Sequence, residues 1–170
     1  MPLIRGYCLN VPYICMIGGL IMNGDIQVWD PLRKKNVTLT PEERVRQWFI
    51  TVLRDVMKVP MHMMMSEVGM KYGEGTVKKE FRADIVVFDR RPGPMMIVEC
   101  KRPDVEITKE VMEQALRYDM VMDVRFLALT NGHKTVICKK EHGHVTFLDK
   151  PPVYMEMLEC GTEVSPGKND

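Results

Sequence analysis

Between residues 45 and 56 the apolar positions recur at helical spacing. Val45, Trp48, Phe49, Val52, Leu53 and Val56 form the i, i+3, i+4, i+7 stripe of a helix turned toward a core. Thr40 suits the N-cap, Pro41 the first helical position, and Glu43 completes a T-x-x-E capping box, while Pro60 ends the element. Ahead of it, Asp25 to Thr38 reads as a short strand or extended lead-in broken by a turn at Asp30-Pro31. Behind it the period changes. Met61 to Met70, Phe81 to Asp89 and Met95 to Lys101 read as three strands, separated by a turn at Gly73-Glu74-Gly75 and a loop from Arg90 to Pro94. The runs Ile85-Val86-Val87-Phe88 and Met95-Met96-Ile97-Val98 are apolar on both faces, as central strands covered on each side must be. Pro103 stops the third strand, and a second helix is expected from Thr108, its N-cap, to Met122. Phe126 to Thr130 and Lys134 to Lys139 follow as strands around a turn at Asn131-Gly132, and Val145 to Leu148 is an edge-strand candidate. Helix, three strands, helix and two or three strands predict an α/β sandwich with a mixed β-sheet flanked by helices.

Composition adjusts this picture only at its ends. A chain of 170 residues with 45% apolar and 28% charged residues is one ordinary globular domain's worth. Residues 1–24 fit it poorly. The mostly apolar stretch from Tyr7 to Met22 follows Arg5 like a weak signal segment, but Asn10, Pro12 and glycines interrupt it, and it is short for a membrane span. It reads as a non-functional N-terminal extension, such as a misassigned start codon leaves, with a targeting segment as the alternative, and 25–150 is expected to be the functional domain. Pro151-Pro152 and the polar end predict a loosely held tail over 151–170. The net charge of +1 decides nothing about partners, because acidic metal ligands offset basic surface. Five cysteines without a CxxC pair argue against a disulfide framework or a zinc site and for a reducing cytoplasm. No glycine-rich phosphate loop follows the first strand, which removes the main support for dinucleotide or P-loop binding.

Chemistry concentrates at two strand ends. Asp84 opens one apolar run and Glu99 closes the next, and a carboxylate at such a position needs a cation or a strong donor. Glu99 and Lys101 leave the same face of their strand, and Asp84 joins them if the two strands are neighbours. Two carboxylates and the backbone carbonyl of Cys100 make a hard oxygen site suited to Mg²⁺ or Mn²⁺. Such an ion polarises a phosphoryl oxygen and lowers the pKa of bound water, while Lys101 holds that water or, with its own pKa lowered, accepts a proton.

The pattern Asp84-x14-Glu99-Cys100-Lys101 resembles the PD-(D/E)xK nuclease superfamily, with Ala83 where that pattern has proline. The closer likeness is to the N-terminal nuclease domain of type I restriction endonuclease R subunits. It is carried by residues 41–47 (Pro-Glu-Glu-Arg-Val-Arg-Gln), 82–85 (Arg-Ala-Asp-Ile), 97–103 (Ile-Val-Glu-Cys-Lys-Arg-Pro) and 129–132 (Leu-Thr-Asn-Gly). The resemblance implies a nuclease domain over 25–150 with a restriction-endonuclease-like core, metal-dependent cleavage of DNA, and other restriction-system subunits as partners. It also implies that Gln114 and Tyr118, a Q-x-x-x-Y pair one helical turn apart, contact or orient nucleic acid, the alternative being ordinary helix-surface residues; Arg82 and Arg102 are further candidates for nucleic-acid contact.

Several of these residues carry two readings. Glu43 is either the capping-box acid or, as the resemblance implies, a helix-borne member of the metal site. Glu67 is a solvent-facing residue or an outer metal ligand. Glu99 with Lys101 is a surface ion pair or the reactive pair, and Asp84 has Arg82 as an alternative partner on its own strand. His142 and His144, lacking a third ligand, read as a solvated turn. Cys100 reads as packing. Two functions stand side by side, a Mg²⁺-dependent endodeoxyribonuclease and a catalytically silent nucleic-acid-binding or assembly module of the same fold. DNA and RNA remain alternative substrates, and no membrane partner is expected.

Overall fold

The computed structural model of the chain describes residues 20–22, 25–72, 79–91, 93–119 and 124–160. Strands β1 (Leu20–Met22), β2 (Asp25–Asp30) and β3 (Lys35–Thr38) form a small antiparallel sheet in that order. The lead-in is thus a hairpin, with its turn directly after Asp30, at the expected Asp30-Pro31 break. β1 pairs with β2 through Ile21↔Ile26, so part of the stretch expected as an extension is built into a sheet. The rest of that stretch, residues 1–19, 23 and 24, lies outside the described residues.

Helix α1 (Pro41–Asp55) begins as its sequence dictates, with Pro41 in the first turn and the Thr40 hydroxyl accepting the N–H of Glu43 at 3.1 Å. Val45, Phe49, Ile50, Val52 and Leu53 are at most 1% exposed. Val56, expected in the same stripe, is 39% exposed, because it is the C-cap and the chain leaves the helical path there. A 3-10 turn (Met61–Met63) takes the start of the first predicted strand, and β4 (Met64–Tyr72), β5 (Lys79–Phe88) and β6 (Pro94–Cys100) follow. Then come α2 (Lys109–Asp119), β7 (Phe126–Thr130), β8 (Thr135–Glu141) and β9 (His144–Phe147). The Gly73–Gly75 turn and the predicted end of the second helix at Met122 lie outside the described residues.

The six strands from β4 to β9 lie in sequence order in one sheet, antiparallel throughout except for the parallel pair β6–β7 that α2 connects. This is the expected mixed α/β sheet. One face packs against α1, with Ile85, Val87, Met96, Val98, Phe126 and Ala128 in the same core as Phe49 and Leu53. The other packs against α2, where Met112 and Ala115 join Val86, Ile97, Leu127 and Leu129. Each large apolar side chain buried this way contributes about 1.5–3 kcal/mol, which is why the central strands read as unbroken apolar runs.

Residues 151–160 are not a loose tail. Helix α3 (Tyr154–Glu159) places Tyr154 and Met157 in the α1-side core, and the Tyr154 N–H donates to the Met57 carbonyl at 2.7 Å. The Tyr154 hydroxyl donates to the Phe88 carbonyl at 3.0 Å. Only residues 161–170 of the predicted tail stay outside the described residues.

Candidate active site

Strands β5 and β6 pair from Phe88↔Pro94 to Ile85↔Val98. One step further a side chain takes over from the backbone ladder: Asp84 Oδ2 accepts the N–H of Cys100 at 2.6 Å. β6 keeps its other neighbour through Cys100↔Thr130 and the bond from the Lys101 N–H to the Thr130 carbonyl at 2.8 Å. Continuing the β5–β6 register places Asp84 across from Glu99. Lys101, just past the strand end, donates from Nζ to Glu99 Oε1 at 2.7 Å. The three residues expected to meet do meet. The Cys100 thiol is buried in the α1-side core, as its packing reading required.

Burial holds the Glu99 carboxyl above its usual range, and the charges of Asp84 and Glu42 add to the shift against the Lys101 hydrogen bond. Burial pulls the Lys101 ammonium down, but the hydrogen bond and charge of Glu99, helped by Asp84 and Glu42, outweigh it and the net shift is upward. With no ion at Asp84 and Glu99 the acidic neighbours thus outweigh burial, whereas the lowering expected of Lys101 includes the charge of a nearby metal ion that would offset those neighbours.

Arg46, present in the 41–47 motif but given no role there, occupies the centre of a second cluster. Its guanidinium donates to Glu43 Oε2 at 2.6 Å and to Asp84 Oδ1 at 2.5 Å, and lies 3.0 Å from Glu67 Oε1. From Glu43 the chain of charges continues outward. Arg33 Nη2 donates to Glu43 Oε1 and Arg33 Nε to Asp30 Oδ2, each at 2.5 Å. Gln47 Nε2 donates to both Asp30 and Glu43, at 3.0 and 2.9 Å. Asp30, fully buried, also accepts the backbone N–H groups of Leu32 and Arg33 at 2.7 and 2.8 Å. The β2–β3 hairpin is thereby bonded through α1 to β5.

These bonds decide several double readings. The capping box is half formed, since the Thr40 N–H donates to the Thr38 carbonyl at 2.9 Å and the Glu43 carboxylate turns instead to Arg33, Arg46 and Gln47. Asp84 pairs with Arg46, not with Arg82, which reaches across to Glu67 on β4. Glu67 adopts a left-handed backbone conformation, φ 58°. A non-glycine residue held there costs about 1–3 kcal/mol and persists where surrounding contacts fix it; the two arginines do so. Glu67 is thus engaged by two arginines and is not a free solvent-facing residue.

The segment after Lys101 is tied down by the Asn131-Gly132 turn. Asn131 Oδ1 accepts the N–H groups of His133 and Lys134 at 3.0 and 2.8 Å, and its Nδ2 donates to the Val105 carbonyl at 2.8 Å. Lys134 Nζ adds a bond to the Ile107 carbonyl at 3.2 Å. Gly132, at φ 86°, supplies the conformation that this turn demands. Gln114 is exposed on α2, whereas the side chain of Tyr118 lies outside the described residues. Arg102 is exposed and paired with Asp104 at 3.0 Å. His142 and His144 are exposed at the β8–β9 turn, as the solvated-turn reading predicts.

Among the described residues no set of three His, Cys, Asp or Glu side chains is arranged to hold a metal ion unaided. Asp84 and Glu99 nonetheless fit a hard divalent cation. Mg²⁺ is commonly bound by one or two carboxylates with water completing its shell, and the raised Glu99 carboxyl marks a place where added positive charge is favourable. Among the described residues no helix is long and apolar enough to cross a membrane.

A mixed sheet clasped between helices, opened between two central strands at its acidic end, defines a restriction-endonuclease-like α/β fold. The family described as the N terminus of the type I restriction enzyme R protein matches residues 41–152, and the chain belongs to that family. In fold it is similar to a fragment assigned as an HsdR subunit of a type I restriction enzyme from Vibrio vulnificus. The TM-score is 0.52 at 20% identity, over 72% of this chain and 25% of that one, so this chain spans about a quarter of its structural relative. No curated protein matches the sequence.

Proposed function

We propose that the chain is a DNA endonuclease that hydrolyses phosphodiester bonds with Mg²⁺ or Mn²⁺, acting with other subunits of a restriction system. The observation that carries this reading is the meeting of Asp84, Glu99 and Lys101 where β5 and β6 part. Asp84 and Glu99, with the Cys100 carbonyl, would hold the ion, which when bound polarises a phosphoryl oxygen and acidifies water. The Cys100 N–H fixes one oxygen of Asp84, so that carboxylate is oriented before any ligand arrives. Glu99 holds the Lys101 ammonium at the open strand end, where it can donate to the attacking water or to a phosphoryl oxygen as charge develops.

Arg82 and Arg102 have exposed side chains in ion pairs with Glu67 and Asp104. The Arg102–Asp104 pair is exposed on both sides and worth about 0–1 kcal/mol, so a DNA phosphate can replace its carboxylate. Arg82 offers its exposed guanidinium beside a Glu67 that Arg46 also holds. Gln114 and Tyr118 on α2 are assigned to the same nucleic-acid contact by their family spacing. The rival reading, a catalytically silent binding module, draws on one observation: both Asp84 oxygens already have donors, the Cys100 N–H and Arg46.

Nicking of supercoiled plasmid by the purified chain with Mg²⁺ or Mn²⁺ tests the proposal, with Glu99→Ala and Lys101→Ala alongside and a single-stranded RNA as competing substrate. Cleavage lost in both variants supports it. Cleavage that survives both substitutions rejects the site, and no cleavage of any nucleic acid together with no divalent-ion binding favours the silent module.

A further inference from the structure

Three carboxylates from three different elements converge on one buried guanidinium. Glu43 comes from α1, Glu67 from β4 and Asp84 from β5, and Arg46 meets them at 2.6, 3.0 and 2.5 Å. Asp84 therefore bridges, with Oδ1 on Arg46 and Oδ2 on the N–H of Cys100 beside Glu99. In a two-metal phosphodiesterase a carboxylate commonly bridges two cations some 3.5–4 Å apart. Here a protein cation already stands on one side of that bridge.

We infer that Arg46 takes the place of a second divalent cation, so that the site binds one metal ion, on the Glu99 side of Asp84. This rests on the metal-dependent reading above and adds the number of ions and the residue that sets it. The charge balance supports it. In the ladder of ion pairs among the described residues, Asp30, Glu43, Glu67, Asp84 and Glu99 face Arg33, Arg46, Arg82 and Lys101, leaving an excess of one negative charge. One divalent ion comes far closer to balancing that excess than two do.

Geometry also argues against Arg46 yielding its place to an ion. Its side chain is 7% exposed, its two terminal nitrogens are both engaged, and Glu43 lies one turn away on the same helix. A guanidinium keeps its charge at every working pH and its planar fork matches several carboxylates at once, which an ammonium does not. Arg46 is accordingly a positioning residue for Asp84 and the fixed positive charge of the Glu43–Glu67 side.

The test is Mn²⁺ binding to the whole chain, read by calorimetry and by electron paramagnetic resonance. The parent protein is expected to bind one Mn²⁺ with the spectrum of an isolated ion. Arg46→Met, shown to be folded by circular dichroism, is expected to take up a second Mn²⁺ and to show the spin coupling of a close pair. Arg46→Lys, which restores a positive charge, should return to one ion. Two coupled ions in the parent protein overturn the inference while leaving the metal-dependent reading intact, and this arm does not need Arg46→Met to fold. A folded Arg46→Met that still binds one ion overturns the assignment to Arg46. No Mn²⁺ bound by the parent protein removes the metal-dependent reading, and the inference falls with it.

Discussion

Asp30→Ala tests whether the small sheet is a working part of the site. The carboxylate is fully buried and accepts four hydrogen bonds: Leu32 N–H at 2.7 Å, Arg33 N–H at 2.8 Å, Arg33 Nε at 2.5 Å and Gln47 Nε2 at 3.0 Å. Removing one partner of a buried ion pair costs about 3–5 kcal/mol, because the other charge stays behind unpaired. Two features of the structure pull toward the lower part of that range. Arg33 is 17% exposed in its side chain and keeps Glu43, and Gln47 keeps Glu43 as well. A loss of about 3 kcal/mol is therefore expected, a large share of a typical 5–15 kcal/mol stability. Urea unfolding followed by far-UV circular dichroism reads it as a lower midpoint at unchanged slope. Arg33→Ala should cost less, and the double substitution should cost less than the two added, since both remove the same bond. A midpoint shift worth under about 1 kcal/mol for Asp30→Ala, or strict additivity with Arg33→Ala, refutes a buried ladder joining the hairpin to α1.

Glu99 has its carboxyl raised by burial, so the unfolded chain loses that proton first and the folded state loses stability as pH rises through the carboxylate range. Glu99→Gln is expected to be inactive yet more stable than the parent at pH 7, with the gain fading below about pH 4; denaturation midpoints at the two pH values check it. Lys101→Gln should lower the rate of plasmid nicking by about 10²–10³, as loss of a charge-stabilising donor does, whereas Lys101→Arg keeps the cation and should retain part of the activity. If Lys101 acts as a donor, any alkaline rise in rate should persist in Lys101→Arg; a rise that disappears in that variant contradicts the role. Asn131→Ala removes the acceptor for two turn N–H groups and the bond to Val105, and should destabilise by about 1–3 kcal/mol in urea unfolding, with a normal midpoint as the contrary result.

The sheet was legible where burial is two-sided. Ile85 to Val87 and Met95 to Val98 are covered by helices on both faces, so their apolar runs carry no period but strand length alone identifies them. Legibility failed where the chain is short or uniformly apolar. Helix α3 has six residues after Pro151-Pro152, too few for a helical period to emerge, and its docking rests on Tyr154 and Met157 reaching a core formed elsewhere. The run Met61–Met65 has no punctuation to say that its first turn is 3-10 and its strand starts at Met64. The β1–β3 sheet depends on pairing between segments, and pairing leaves no local periodic mark.

The site divides along the same line. Asp84, Glu99 and Lys101 could be read because strand geometry fixes which side chains share an end, and that is a local rule. Their partners could not, because Arg33 meets Glu43 ten residues away and Arg46 meets Asp84 thirty-eight away. One clue was present in α1 all the same. Glu43, Arg46 and Gln47 stand at i, i+3 and i+4, one face of the helix, and all three are buried although polar. Three polar side chains at helical spacing, directly ahead of a strongly apolar run, signal a helix whose first turns pack against charge and whose last turns pack against a core. That division is what the fold requires here. The N-terminal half of α1 covers the opened, acidic ends of β5 and β4, while its C-terminal half covers Ile85, Val87 and Met96. A helix read only for its apolar stripe gives the second contact and hides the first. Glu43 shows the same limit: its capping position follows a local rule, whereas its carboxylate goes to Arg33 and Arg46, which only the tertiary structure brings to it.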